Sequence, residues 1–133
     1  LKEIVTLSPY RRDPERVLKI TDITVNASTS HESLSGALVN AHAMAVPAVA
    51  TDLAGNPEVV QDGVTGLIVK PADPEALAEG ISRMLKMDPQ QRKQMGLKAR
   101  ERAQNLFSSE ARANRRIEIY EKAIAQRKGR FKL

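Results

Sequence analysis

The sequence has 133 residues, 41% hydrophobic but only 3% aromatic, which indicates an aliphatic, alanine-rich domain or part of one. It contains no cysteine, so disulfides and thiol chemistry are excluded, and it has no run of about 18 apolar residues of the kind that crosses a bilayer. The net charge is +5, but with so few aromatic residues a base-stacking surface for nucleic acid is not expected.

The first elements alternate between strand and helix. The β-branched residues 4–7 predict a short strand. Asp13 and Pro14 are a typical helix start, because Asp caps a helix and Pro fits its first turn. We expect that helix to reach about residue 20, with an inward face made by Val17, Leu18 and Ile20. Residues 22–27 predict a second strand.

Residues 31–52 organise the rest of the chain. A polar entry with one carboxylate, Glu32, leads into a helix predicted from about residue 35 to 45, and residues 48–51 form a buried strand. A serine- and glycine-rich helix entry leaves backbone N–H groups unpaired and pointing one way, which suits an anionic or hydroxyl-rich ligand. An ordinary loop–helix–strand unit, in which Ser33 or Ser35 caps the helix, explains the same pattern.

The rest of the chain adds one strand and four helices. Pro57 can open a short helix, residues 67–69 predict a strand, and Asp73 and Pro74 start a helix that extends to about residue 86. Its apolar face is predicted to be Leu77, Ile81 and Leu85. Two longer helices are predicted over residues 88–106, with Met95, Ala99 and Ala103 at four-residue spacing, and over residues 108–126.

This alternation over roughly the first 85 residues predicts an α/β fold. The expected architecture is a parallel sheet with helices on both faces and a helical C-terminal end. In such folds ligands bind at the carboxyl ends of the strands. The entry to the central helix follows the strand at 22–27, so it lies at such an end.

Six linked segments resemble the C-terminal half of a GT-B glycosyltransferase of the retaining, nucleotide-sugar-using family 4, also called group 1. Residues 22–28 resemble the family strand aDvfvlpS, and residues 32–40 lie where the family has its E-x7-E motif. The order continues with ACGvPVVAT at 43–51, gGxPEvv at 54–60, dGxtGllv at 62–69, and finally 73–78. Each segment alone is weak, but six in order with matching spacing are specific.

The resemblance implies a Rossmann-like, nucleotide-sugar-binding domain over residues 1–126, followed by a basic tail at 127–133. Glu32 would contact the hydroxyls of the donor sugar as the catalytic residue, and backbone amides at Ser35, Gly36 and Ala37 would reach the sugar and phosphate. Asn40, about one helical turn after Ala37, would face the ribose. The implied donor-binding set is Glu32, Ser33, Leu34, Ser35, Gly36, Ala37 and Asn40, with no metal ion.

Two departures from the family pattern stand out. Asn40 replaces the second glutamate, so a ribose contact there lacks charge assistance. Leu34 lies between two serines where the family has the small residues of EGFG. In addition, the arginine and lysine that bind the donor phosphates in the family, and the whole acceptor domain, precede the matched part, and Arg11 and Arg12 are not expected to replace them. Because the sequence begins at Leu1, we expect a piece of a longer chain.

The function implied by the resemblance is transfer of a hexose, with retention, from a UDP- or GDP-sugar to a carbohydrate or lipid-linked acceptor. The enzyme would be active at full length and inactive as this piece, would need no cofactor, and would be cytoplasmic. An alternative is a non-catalytic homologue that acts as a binding or scaffold domain. A further alternative uses the basic tail for peripheral contact with the cytoplasmic membrane face, although such a tail is more often a solvated terminus.

Overall fold

The computed structural model describes residues 3–30 and 33–130, with side chains up to residue 127. These residues form a three-stranded parallel sheet in the order β1-β2-β3, in which Val25 lies opposite Val49 and Val49 opposite Leu67. The predicted α/β class is confirmed. The elements in chain order are α1 (Pro14–Leu18), β1 (Thr24–Asn26), α2 (Gly36–Ala43), β2 (Ala48–Thr51), α3 (Asn56–Val59), β3 (Gly66–Val69), α4 (Pro74–Lys86), α5 (Pro89–Phe107) and α6 (Ser109–Arg130).

The central strand β2 is buried on both faces, as expected for a parallel sheet covered by helices. Because side chains alternate along a strand, Ala48 and Ala50 pack with Leu38 of α2 on one face. Val49 points to the other face and packs with Met84 of α4. The predicted placement of helices on both faces is therefore confirmed.

Helix α5 packs along α2, and its buried residues include Met95, Ala99 and Ala103, as the four-residue spacing predicts. The closest approach is at Gly96, where an added Cβ would overlap the carbonyl oxygen of Ala45. Glycine is required there because backbone meets backbone. This contact fixes the end of α2 against α5.

The predicted strand at residues 4–7 is wrong. The described residues before α1 form no strand, and Ile4 and Leu7 are 84% and 91% exposed. No described strand pairs with this segment, so its residues gain neither ladder hydrogen bonds nor burial. The predicted inward face of α1 is also wrong, because this five-residue helix buries none of its residues and Ile20 lies beyond its end.

The later helices are confirmed, with corrections to their faces and ends. Asp73 caps α4 by accepting from the Ala76 N–H at 3.0 Å, and Leu77 and Ile81 pack against the core. Leu85 is exposed, however, and Met84 is buried in its place. Helix α6 continues to Arg130, past the predicted end near residue 126, while residues 131–133 of the predicted tail lie outside the described residues. Within the described chain, no helix combines the length and apolarity needed to cross a membrane.

Candidate functional site

The first turn of α2 presents its backbone to solvent. Ser35 occupies the N-cap position with φ −69° and ψ 107°, but its side chain makes no capping hydrogen bond. The next two residues, Gly36 and Ala37, are exposed, and nothing lies within 4 Å of a Cβ built on Gly36. The first N–H groups of a helix have no partner inside the helix, so these amides face outward without a serine cap. The alternative in which Ser35 caps the helix is therefore not what the structure has.

The Ser35 hydroxyl instead belongs to a polar network at the carboxyl ends of β1 and β2. Its oxygen accepts from Asn26 Nδ2 at 3.1 Å, and Asn26 Oδ1 accepts from the Ser28 N–H at 3.1 Å. Thr51 Oγ1 donates to the Ser28 carbonyl at 2.8 Å, and Asn56 Nδ2 donates to the Thr51 carbonyl at 3.1 Å. This network ties the start of α2 to the ends of both strands and to the start of α3.

The loop before α2 rests against the turn before α3. A Cβ added to Gly55 would lie 2.6 Å from the Ser33 carbonyl oxygen and 2.8 Å from Leu34 Cα. Contacts that close require a residue without a side chain. Its neighbour Ala54 adopts φ +46°, in the left-handed region that costs an L-residue about 1–2 kcal/mol. The turn at 54–55 thus sets where the loop at 33–34 can lie.

A cavity of about 500 Å³ lies beside this helix start. Asn40 and Ala37 both line it, because residues three apart lie on one face of a helix. Arg11 also lines the cavity and forms an ion pair with Asp13 at 2.8 Å. The remaining lining residues are Ser8, Pro9, Pro14, Val17, Leu18 and Thr24. Sequence reasoning had set Arg11 aside, and the structure brings it to the same cavity as Asn40.

Most of the predicted site residues lie together at the start of α2. Ser33 and Leu34 form the exposed loop before it, Ser35 is buried at its N-cap, and Gly36, Ala37 and Asn40 are exposed on its first two turns. Glu32, the predicted sugar contact and catalytic residue, lies outside the described residues, as does His31.

Sequence reasoning missed the residues that support this site, Asn26, Thr51 and Asn56. A signal existed, since Asn26 and Thr51 are the last residues of β1 and β2, and Asn56 is the first of α3. Polar residues at the carboxyl ends of parallel strands lie near each other. A buried polar side chain there must find a partner, which predicts a hydrogen-bond network.

His42 is a fully buried imidazole at the other end of α2, with 0% of its surface exposed. Its pKa is lowered from 6.5 to about 4, first by burial and second by the positive charge of Arg102, while the Thr65 backbone opposes both effects. Neither ring nitrogen forms a hydrogen bond of normal length and angle with another described residue. His42 is thus a neutral core residue at neutral pH.

A second cavity, of about 420 Å³, lies between α5 and the turn that precedes β3. Lys98, Arg102 and Asn105 line it on the helix side, and Gln61 and Thr65 on the turn side. It lies at the amino ends of the strands, opposite the start of α2. Among residues 3–30 and 33–130, no group of three His, Asp or Glu side chains could hold a metal ion.

A parallel sheet covered by helices, with an open helix start at the carboxyl ends of its strands, is a Rossmann-like α/β architecture, a fold class in which ligands bind at that end of the sheet. The sequence model of the family described as "Glycosyl transferases group 1" matches residues 1–102. The chain belongs to that family, and the family predicted from the sequence is confirmed.

The chain is similar to several enzymes named as transferases or synthases. It is 39% identical over 101 residues to an alpha-maltose-1-phosphate synthase of Mycolicibacterium smegmatis, covering 71% of this chain and 26% of that protein. It is 33% identical over 128 residues to an MMP alpha-(1->4)-mannosyltransferase of Mycolicibacterium hassiacum, covering 95% of this chain and 31% of that protein.

Among solved structures, the sucrose-phosphate synthase of Thermosynechococcus elongatus superposes with a TM-score of 0.72 at 31% identity, covering 83% of this chain and 27% of that one. The chain therefore spans less than a third of the length of each of these three relatives.

Proposed function

We propose that this chain binds the nucleotide-diphosphate sugar donor of a retaining hexosyltransferase. The observation that carries the proposal is the exposed, uncapped first turn of α2 beside the cavity that Asn40 lines. Membership of the group 1 glycosyl transferases supports it. So do the relatives, whose names describe a mannosyltransferase and a maltose-1-phosphate synthase.

The diphosphate would lie at the start of α2. The free N–H groups of Gly36 and Ala37 donate toward an anion, and the positive end of the helix dipole favours it by about 0.3–1 kcal/mol per charge at an exposed site. The small side chains let phosphate oxygens approach the backbone. The Ser35 hydroxyl oxygen accepts from Asn26 Nδ2, and its own O–H remains able to donate to a phosphate oxygen.

The nucleoside would occupy the cavity of about 500 Å³, a size typical of small-molecule sites. Asn40 is one helical turn from the proposed phosphate position, and its amide can bond ribose hydroxyls without a net charge. Glu32 would accept hydrogen bonds from the sugar hydroxyls, as the family resemblance implies. The acceptor, a carbohydrate or lipid-linked molecule, would be held by the remainder of a longer protein.

The test uses one exposed position at which helix stability and anion binding respond in opposite directions. Ala37→Glu places a carboxylate in the first turn of α2, where it favours the helix but repels a diphosphate. Ala37→Gln has the same size without the charge. In the full protein we expect Ala37→Glu to weaken UDP or GDP binding at least about tenfold more than Ala37→Gln does, with no loss of thermal stability. Equal affinity of the two variants, measured by calorimetry, would contradict a phosphate site there.

A second candidate function is a non-catalytic donor-binding or scaffold domain. The observation that favours it is Asn40 in place of a carboxylate, exposed on α2 and without a hydrogen-bond partner among the described residues. Nucleotide binding without sugar transfer, in the full protein with UDP- and GDP-sugars and a broad acceptor panel, would favour this candidate. Multiple-turnover transfer would exclude it.

A further inference from the structure

Arg102 connects α5 to the short helix α3 across a sequence distance of more than forty residues. Its Nη2 donates to the Glu58 carbonyl at 2.7 Å, and its Nε donates to the Val59 carbonyl at 3.0 Å. Both acceptors lie at the end of α3, where helix carbonyls have no partner inside the helix. The planar guanidinium can satisfy two such carbonyls at once, which a lysine ammonium cannot do with the same geometry.

Helix α3 needs such external support. It has four residues, too few to be stable by its own hydrogen bonds. At its start, the buried Asn56 is bonded to Thr51, and the preceding Gly55 touches the backbone of Ser33 and Leu34. The two ends of α3 are therefore held by different partners: the strand network at its start and Arg102 at its end.

We propose that Arg102 is a positioning residue for the donor site. By holding the end of α3, Arg102 fixes the position of Gly55 before that helix. Gly55 then fixes the loop at Ser33 and Leu34, which leads into the open start of α2. Arg102 itself contacts the end of α3 and lines the cavity beside α5, not the cavity that Asn40 lines. The inference rests on the proposed function for its consequence on binding, but not for its consequence on the loop.

The first experiment measures the loop without any ligand. Amide hydrogen exchange is followed in the full protein for wild type, Arg102→Met and Arg102→Lys. The control is Arg100→Met, an exposed arginine on the same helix with no partner among the described residues. Measurement at pH 8 keeps His42, whose pKa responds to the charge of Arg102, neutral in every variant.

We expect Arg102→Met to raise exchange at least about tenfold at the hydrogen-bonded amides of Glu58, Val59 and Val60, with β2 and α4 unchanged. Exchange should rise likewise at Val39, whose N–H donates to the Ser35 carbonyl and so reports on the end of the loop. Arg102→Lys should restore part of the protection, and Arg100→Met should match wild type. Unchanged exchange at these amides, or an equal rise throughout the chain, would overturn the proposal, since the second result describes general loss of stability.

The second experiment measures binding with UDP and GDP as probes. Arg102→Met should weaken the affinity of the better probe at least about fivefold, and Arg100→Met should leave it unchanged. Gly55→Ala displaces the same loop directly, so the double variant Gly55→Ala with Arg102→Met should be little weaker than the worse single variant. Additive losses, or unchanged binding with a loosened loop, would overturn the assigned role. If wild type binds neither probe, the proposed function fails, and the exchange experiment still decides whether Arg102 fixes the loop.

Discussion

The buried imidazole of His42 makes the stability of this domain depend on pH. Its pKa is about 4 in the folded protein, against 6.5 when exposed, mainly because of burial and secondarily because of Arg102. The unfolded chain therefore binds a proton between about pH 6.5 and pH 4 that the folded chain does not. The contribution of His42 to the unfolding free energy is fully present above that pH range and is lost as the pH falls through it.

The size of the effect follows from the two pKa values. Each pKa unit corresponds to about 1.4 kcal/mol, so this group removes about 2 kcal/mol from the unfolding free energy between pH 7 and pH 5, and about 3 kcal/mol by pH 4. This is a large part of the about 5–15 kcal/mol typical of a folded domain.

His42→Met is the matched variant, because methionine fills a similar space and does not titrate. It also removes two buried nitrogens that have no partner, so stability at pH 7 should be unchanged or higher by about 1–2 kcal/mol. Urea unfolding followed by circular dichroism from pH 7.5 to pH 4.5 gives the free energies. The other titrating groups contribute equally to both proteins, so their effect cancels in the difference between the two unfolding free energies. This difference should grow by about 2 kcal/mol from pH 7 to pH 5. A difference that stays constant with pH would refute the reasoning.

Four further substitutions, two of them a matched pair, test the end of α2 and the proposed donor site. Ala45 follows α2 with φ +61°, in the left-handed region, so Ala45→Gly should raise the unfolding free energy by about 0.5–1 kcal/mol. Ala43→Gly, inside the helix, should lower the unfolding free energy by about as much, and urea unfolding measures both variants. Asn40→Glu should tighten UDP or GDP binding in calorimetry, because a carboxylate accepts ribose hydroxyls more strongly than an amide does, and unchanged affinity would mean that Asn40 does not face the ribose. Glu32→Ala in the full protein should lower sugar transfer at least about a hundredfold without loss of folding, and near-normal rates would exclude Glu32 from the site.

The fold was predictable wherever burial and local chemistry agree. Residues 48–51 form a short, largely apolar segment that follows a proline and lies at the centre of the sheet. The strand was therefore predicted with its observed ends. Asp73 was predicted to start α4 and does so through its own side chain. In both places the local signal and the tertiary environment favour the same structure.

The failures occur where tertiary contacts decide the outcome. Residues 4–7 have strand composition, but β propensity is realised only by pairing with a neighbouring strand, and no described strand pairs with this segment. Leu85 and Met84 are adjacent on α4, and only the packing against β2 and β3 determines which of them is buried.

The site divides in the same way. The open helix start at Gly36 and Ala37 follows from small residues after a polar loop, so the pattern could predict it. The polar ends of β1 and β2 and the start of α3 at Asn56 carry a signal, whereas Arg102 acts on backbone carbonyls that are distant in sequence, which leaves no motif. Only the folded structure brings them together.

The central claim is that the first turn of α2 binds the diphosphate of a nucleotide sugar. Backbone amide shifts in the isotopically labelled full protein, titrated with UDP-glucose and GDP-mannose, test it most directly. The account predicts that one of these ligands shifts the amides of Gly36, Ala37 and Leu38 together with Asn40, and leaves Lys98 and Asn105 unchanged. Shifts confined to the cavity between α5 and the turn before β3, with the start of α2 unaffected, would contradict it.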